Sequence, residues 1–176
     1  SGPPVAVPHK TSLRCVASRI STSLSSVPFF MGRSFFSSTS NYMKEHFKHF
    51  ANSVSKLQDL NKDSFVVEIG SNDGIMLQNF VIDKIPCLGV EPSKNVAQVA
   101  KDRGLNVITQ FFDQALADKI SENYQKADAI LSANVMCHIP YMHSIYDGVK
   151  SLLKADGVFI FEDPYLGEVI EKTSFD

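Results

Sequence analysis

Between Ser1 and Met43 the chain has no aspartate or glutamate, so all 19 of its acidic residues fall later. The same stretch scatters Lys10, Arg14, Arg19 and Arg33 among many serines and threonines, the composition of an organellar transit peptide. Residues 1–32 are expected to be a basic, Ser-rich segment, transit-peptide-like or a cloning or gene-prediction remnant, that packs weakly. Residues 33–176 are expected to form the folded domain. Cysteine is scarce: Cys15, Cys87 and Cys137 are widely spaced with no C-x-x-C pair, which speaks against a zinc site or a disulfide framework. No metal is expected, and a reducing, cytoplasmic compartment is, with a mitochondrion or plastid as the alternative if residues 1–32 are a transit peptide. No apolar run approaches the length of a membrane span. A formal net charge of −2 supplies no basic field for nucleic acid or an anionic membrane surface.

What the chain does have is an alternation of short apolar runs and amphipathic stretches. Ser38-Thr39-Ser40 offers a hydroxyl cap before Tyr42, Met43, Phe47, Phe50, Val54 and Leu57, spaced as one apolar face of a helix. Strands are expected at 65–69, 87–91, 106–109, 127–132 and 158–161. Between them, helices carry Ile75, Met76, Phe80 and Val81, then Val96, Val99 and Ala100, then residues 111–124, then 141–153. Strict alternation predicts an α/β fold, a doubly wound parallel sheet with right-handed crossovers. In such a sheet a ligand binds outside the strand C-termini, at the point where the strand order reverses.

The first junction is the most informative. Phe65 to Ile69 runs into Gly70-Ser71-Asn72-Asp73-Gly74, and about twenty residues later a second strand ends at Glu91, where a carboxylate can accept hydrogen bonds from both hydroxyls of a ribose. A dinucleotide turn would read G-x-G-x-x-G; this one reads E-x-G-x-x-x-G, and Asp73 adds a charge that disfavours a pyrophosphate and suits a cationic ligand. The pattern resembles motif I of class I S-adenosylmethionine (SAM) dependent methyltransferases. Later strands deliver Phe111-Phe112-Asp113, then Asn134, Val135 and His138, then Glu162, Asp163, Pro164 and Tyr165 to the same rim. Phe112 fits either the core or an adenine, and His138 either a cap or a substrate contact. Glu162 and Asp163 fit either a solvated loop or the site.

Taken together, Glu45-His46-Phe47, Val67 to Gly74, Gly89 to Ser93, Asn134 to Pro140 and Phe161 to Gly167 resemble the C-methyltransferases that act on nucleotide-linked deoxysugars. The likeness extends from about Phe35 to Asp176. It implies a class I methyltransferase sheet, truncated after its fifth strand. It also implies SAM as methyl donor and a TDP-linked 4-keto sugar as acceptor. By that resemblance Glu68, Gly70, Ser71, Asn72, Gly74, Glu91, Pro92, Asn95, Phe112, Asn134 and Val135 bind the cofactor. His138, Glu162 and Tyr165 face the substrate, with His138 as the catalytic candidate. The family also has a cysteine-rich zinc-binding segment before this region and an aromatic-x-Glu-His segment after it, so these residues alone are expected to be inactive. The fifth strand would leave an apolar edge prone to self-association unless residues 1–32 or a second chain cover it. Other readings are a different SAM-dependent O-, N- or C-methyltransferase and a non-catalytic methyltransferase-like scaffold.

Overall fold

The computed structural model describes residues 14–17, 40–136, 139 and 142–163. In chain order its elements are β1 (Arg14–Ala17), α1 (Asn41–Leu57), β2 (Val66–Ile69), α2 (Leu77–Ile82), β3 (Cys87–Val90), α3 (Lys94–Asp102), β4 (Val107–Ile108), α4 (Gln114–Asn123), β5 (Ala127–Ala133), α5 (Met142–Leu152) and β6 (Leu153–Glu162). The strands form one parallel sheet in the order β1-β6-β5-β2-β3-β4. From β2 the chain winds outward to β3 and β4, then returns to the other side of β2 for β5 and β6. The reversal therefore lies between β2 and β5, which pair from Val66↔Ala129 to Ile69↔Ser132.

Both faces of the sheet are covered, which is why its central strands read as continuous apolar runs rather than alternating ones. Val67, Ile69, Leu88, Val90, Ile130 and Phe159 pack with α4 and α5. On the opposite face Val66, Ala129, Leu131, Val158 and Ile160 pack with Phe47, Phe50 and Val54 of α1 and Phe80 of α2. Fully buried side chains such as Phe80 and Phe159 each contribute about 1.5–3 kcal/mol by leaving water.

The five expected strands are all present, and the structure adds a sixth. Arg14–Ala17, in the segment expected to pack weakly, pairs with Val158–Phe161 and covers the edge left open in the five-strand reading. Residues 154–157, between the expected helix and the expected strand at 158–161, lie within β6 as an irregularity: Leu153 pairs with Ala127 and Val158 with Ala129, so they bulge opposite Asp128. Lys154 Nζ lies 2.8 Å from both oxygens of that aspartate.

Three of the apolar residues expected in helices are exposed. Tyr42 and Leu57 sit at the two ends of α1, beyond the buried stripe of Phe47, Phe50, Ala51 and Val54. Val81 adjoins the inward-facing Phe80 on the short α2, and the 100° step of a helix turns it out. The helix expected from Phe111 begins at Gln114, because the Asp113 side chain accepts a hydrogen bond from the Leu116 N–H at 2.7 Å and caps it.

Candidate functional site

The turn after β2 is built on residues with left-handed backbone: Gly70 at φ 72°, Asn72 at φ 51° and Gly74 at φ 80°. The N–H groups of Gly70 and Ser71 both donate to the Val90 carbonyl, at 2.8 and 3.2 Å, which ties the turn to the end of β3. The next residue is Glu91, only 8% exposed. One of its carboxylate oxygens accepts from the Asn72 N–H at 3.1 Å and the other from the Ser93 N–H at 2.8 Å. Two backbone donors hold the carboxylate in one orientation. Each oxygen has a further lone pair, enough to accept a pair of neighbouring hydroxyls.

Glu68 is 3% exposed on the face shared with Val66, under the same turn. Burial pushes its carboxyl well above the usual carboxylate range, and the nearby Glu91 and Asp73 add to the effect. The folded state therefore favours the protonated form. Its stabilising contribution is full below about pH 4.5 and is lost as pH rises from there through the folded value. Over that window Glu68→Gln should be stabilised relative to the natural chain by an increment that grows with pH, by at most about 1.4 kcal/mol per pH unit. Urea unfolding at a series of pH values measures it, and parallel curves for the two proteins would refute a buried neutral acid.

Asp73 is oriented differently from the sequence expectation. Its carboxylate is fully buried and lies 3.6 Å from Arg103 Nη1, which also donates to the Asp73 main-chain carbonyl at 2.9 Å. The charge is thus shared with the end of α3 rather than presented wholly to a ligand. The Cys87 thiol, at the start of β3, has its pKa pushed up to about 12 by burial and then by Glu68, which disfavours the thiolate.

Other expected site residues are distributed around this centre. Val135 lies over Gly70, so closely that a Cβ on Gly70 would stand 2.3 Å from Val135 Cγ2. Asn134, at φ 56°, donates its N–H to the Glu162 carbonyl at 2.6 Å. Pro92 follows Glu91 directly, and Asn95 is an exposed residue in the first turn of α3, accepting from Ser93 Oγ at 2.7 Å. Phe112 is 5% exposed and packs in the core with Leu116, Ile145 and Val149, whereas Phe111 beside it is 80% exposed. His138 and Tyr165 lie outside the described residues.

His46 on α1 was not among the expected site residues. Its Nε2 lies 3.0 and 3.1 Å from the two carboxylate oxygens of Glu162. The partners are 116 positions apart, which no local pattern reveals. The only sequence signal was His46's place in a run shared with the sugar C-methyltransferases.

Glu68 Oε2, Ser71 Oγ and Ser132 Oγ are buried polar atoms with no protein partner, on the C-terminal halves of β2 and β5 and the turn between β2 and α2. Such atoms are costly unless something bonds to them. Among the described residues no group of three or more His, Cys, Asp or Glu side chains is placed to hold a metal ion, and no helix is long and apolar enough to cross a membrane.

Comparison with known proteins agrees with this architecture. The C-methyltransferase NovU of Streptomyces niveus is 36% identical over 117 residues, which are 66% of this chain and 28% of NovU. The chain therefore spans little more than a quarter of that curated relative. Among solved structures, the PH0226 protein from Pyrococcus horikoshii OT3 superimposes with a TM-score of 0.62 at 16% identity, covering 80% of this chain and 62% of that one. A S-adenosylmethionine-dependent methyltransferase from Clostridium acetobutylicum ATCC 824 gives 0.51 at 19% identity, covering 70% and 51%. Identities this low speak for the fold alone, which is the class I methyltransferase fold. Residues 39–175 match the family described as a methyltransferase domain, and the chain belongs to that family.

Proposed function

We propose that this chain is the cofactor-binding part of a SAM-dependent C-methyltransferase whose acceptor is a carbon beside a ketone in a nucleotide-linked deoxysugar. The observation that carries the cofactor reading is the Glu91 carboxylate, fixed at the C-terminal end of β3 by the backbone N–H groups of Asn72 and Ser93, beside the turn that follows β2. A diol is the group such a carboxylate selects, and a ribose carries one. Gly70, Asn72 and Gly74 shape the turn for the methionine end of the ligand, with Ser71 and Glu68 beneath it. The exposed Phe111 ring, beside the core residue Phe112 between β4 and α4, is on the side assigned to the adenine in this reading.

When bound, SAM supplies an electrophilic methyl group on a sulfonium. The acceptor reading rests on the likeness to NovU, a C-methyltransferase, and on the sugar C-methyltransferase motifs of the sequence. A ketone acidifies the carbon next to it, so the site must remove a proton there and stabilise the resulting oxyanion. Glu162, at the end of β6, together with Tyr165 and His138, which the sequence motifs single out, are the polar residues assigned to the acceptor in this reading, and His138 is the candidate for the catalytic contact.

Isothermal calorimetry with S-adenosylhomocysteine tests the cofactor claim, with NADH as comparator. Saturable binding of the first and none of the second is expected; the reverse would replace the reading with a dinucleotide site. Incubating SAM and a TDP-linked 4-keto sugar with a protein that carries this domain and the sugar C-methyltransferase segment after it tests the acceptor claim. Mass spectrometry should then show methyl transfer to carbon. Transfer only to oxygen or nitrogen acceptors would overturn it.

A further inference from the structure

We propose that His46 is a positioning residue of the site: its Nε2 holds the Glu162 carboxylate and so fixes the start of α1 against the C-terminal end of β6, setting the cofactor crevice at its working width. The proposal rests on the reading of that crevice as the adenosyl-cofactor site.

Glu162 is gripped twice. Its side chain lies against His46 on one side, while its main-chain carbonyl accepts the Asn134 N–H on the other. Asn134 leads directly to Val135, whose side chain rests on Gly70 in the turn after β2. A continuous line of contacts thus runs from α1 through the ends of β6 and β5 to the glycine turn. Near its start α1 holds the imidazole in place: the Tyr42 ring stacks on it at 6.4 Å and the Phe47 ring meets it edge-on at 5.3 Å.

The contact is also sensitive to pH. Facing the imidazole are Glu162 on β6 and Tyr42 on its own helix; Asp163 follows Glu162, Ala129, Leu131 and Phe80 are among the hydrophobic residues that β5 and α2 cluster with α1, and the buried Glu68 of β2 lies on the same face of the sheet. The hydrogen bond with Glu162 raises the His46 pKa above 6.5, against the lowering effect of burial. The ionic part of the contact is therefore complete below 6.5 and is lost as pH rises through the folded value, whereas a neutral imidazole with its proton on Nε2 still donates to the carboxylate.

The test is calorimetry of S-adenosylhomocysteine binding by the natural chain, His46→Gln and His46→Ala from about pH 5.5 to about pH 8.5. The natural chain should lose about 3–10-fold in affinity across that range as the ionic contact fades. Glutamine keeps an N–H donor without a charge, so His46→Gln should give a flat profile near the high-pH value of the natural chain. His46→Ala should bind about 10-fold more weakly than the natural chain at low pH and no better than His46→Gln anywhere. Binding by both variants equal to that of the natural chain at every pH would overturn the proposal and leave the cofactor reading standing. No binding by the natural chain at any pH would overturn both. NMR titration of the His46 ring in Glu162→Gln checks the pair without a ligand. A fall of its pKa toward 6.5 supports the contact, and an unchanged value refutes it.

Discussion

Gly74→Ala should destabilise the chain by about 2–5 kcal/mol. Left-handed backbone costs a residue with a Cβ about 1–2 kcal/mol, and overpacking a filled site adds about 1–3 kcal/mol. Both apply here, because Gly74 stands at φ 80° and a Cβ there would lie 2.0 Å from Leu105 Cδ1 and 3.3 Å from the Ala100 Cβ. Leu105 is itself buried between α3 and β4, so it has little room to withdraw. Gly104 separates the two costs. Its φ of 82° is nearly the same, yet nothing lies within 4 Å of a Cβ built on it. Gly104→Ala should therefore cost only the backbone part, about 1–2 kcal/mol. Urea unfolding of the two variants side by side measures the difference. Equal losses would mean that Leu105 yields freely and that the turn is not packed as described.

The second large effect is expected at Glu91. Glu91→Ala removes the acceptor for the Asn72 and Ser93 N–H groups, and hydrogen bonds to a charged group are worth about 1.5–3 kcal/mol each. The turn loses one of its ties to the end of β3, the Val90 carbonyl keeping the others, at the same time as the ligand loses its diol partner. S-adenosylhomocysteine affinity should fall at least about 100-fold, equivalent to about 2.7 kcal/mol. Calorimetry reads this directly, and retention of affinity within a few-fold would remove Glu91 from the site. Glu91→Gln adds an internal check: the Glu91 charge helps raise the Glu68 pKa, so neutralising it should lower the Glu68 value and flatten the pH dependence of stability.

The expected strands were readable because burial on both sides forces an unbroken apolar, β-branched composition, and Phe65-Val66-Val67 or Ala129-Ile130-Leu131 admits few other structures. The glycine turn and Glu91 were readable because both are local: a few consecutive residues, and one acid at the end of the next strand. Faces of short helices were less so. Phe111 and Phe112 are chemically identical in the sequence, and only the Asp113 cap, which sets where α4 begins, decides which ring turns inward. Asp73 looked like a ligand-facing charge until folding brought Arg103 to it from the end of α3. The His46–Glu162 contact joins the first helix to the last strand, and nothing in either local pattern encodes it. The strand at Arg14–Ala17 was hidden for a related reason, since a four-residue run acquires its role from the edge it meets.

That edge strand has a consequence for the order in which the molecule assembles. Closing β1 onto β6 brings together residues roughly 140 positions apart, whereas β2 meets β3 across about twenty. The entropy of so long a loop delays the β1 ladder until the remainder of the sheet presents β6, and with four residues at the edge of the described sheet it opens before the central ladders. Amide hydrogens of Cys15 and Val16 should accordingly exchange with deuterium far sooner than those of Val67 and Ile130, which are flanked by strands on both sides.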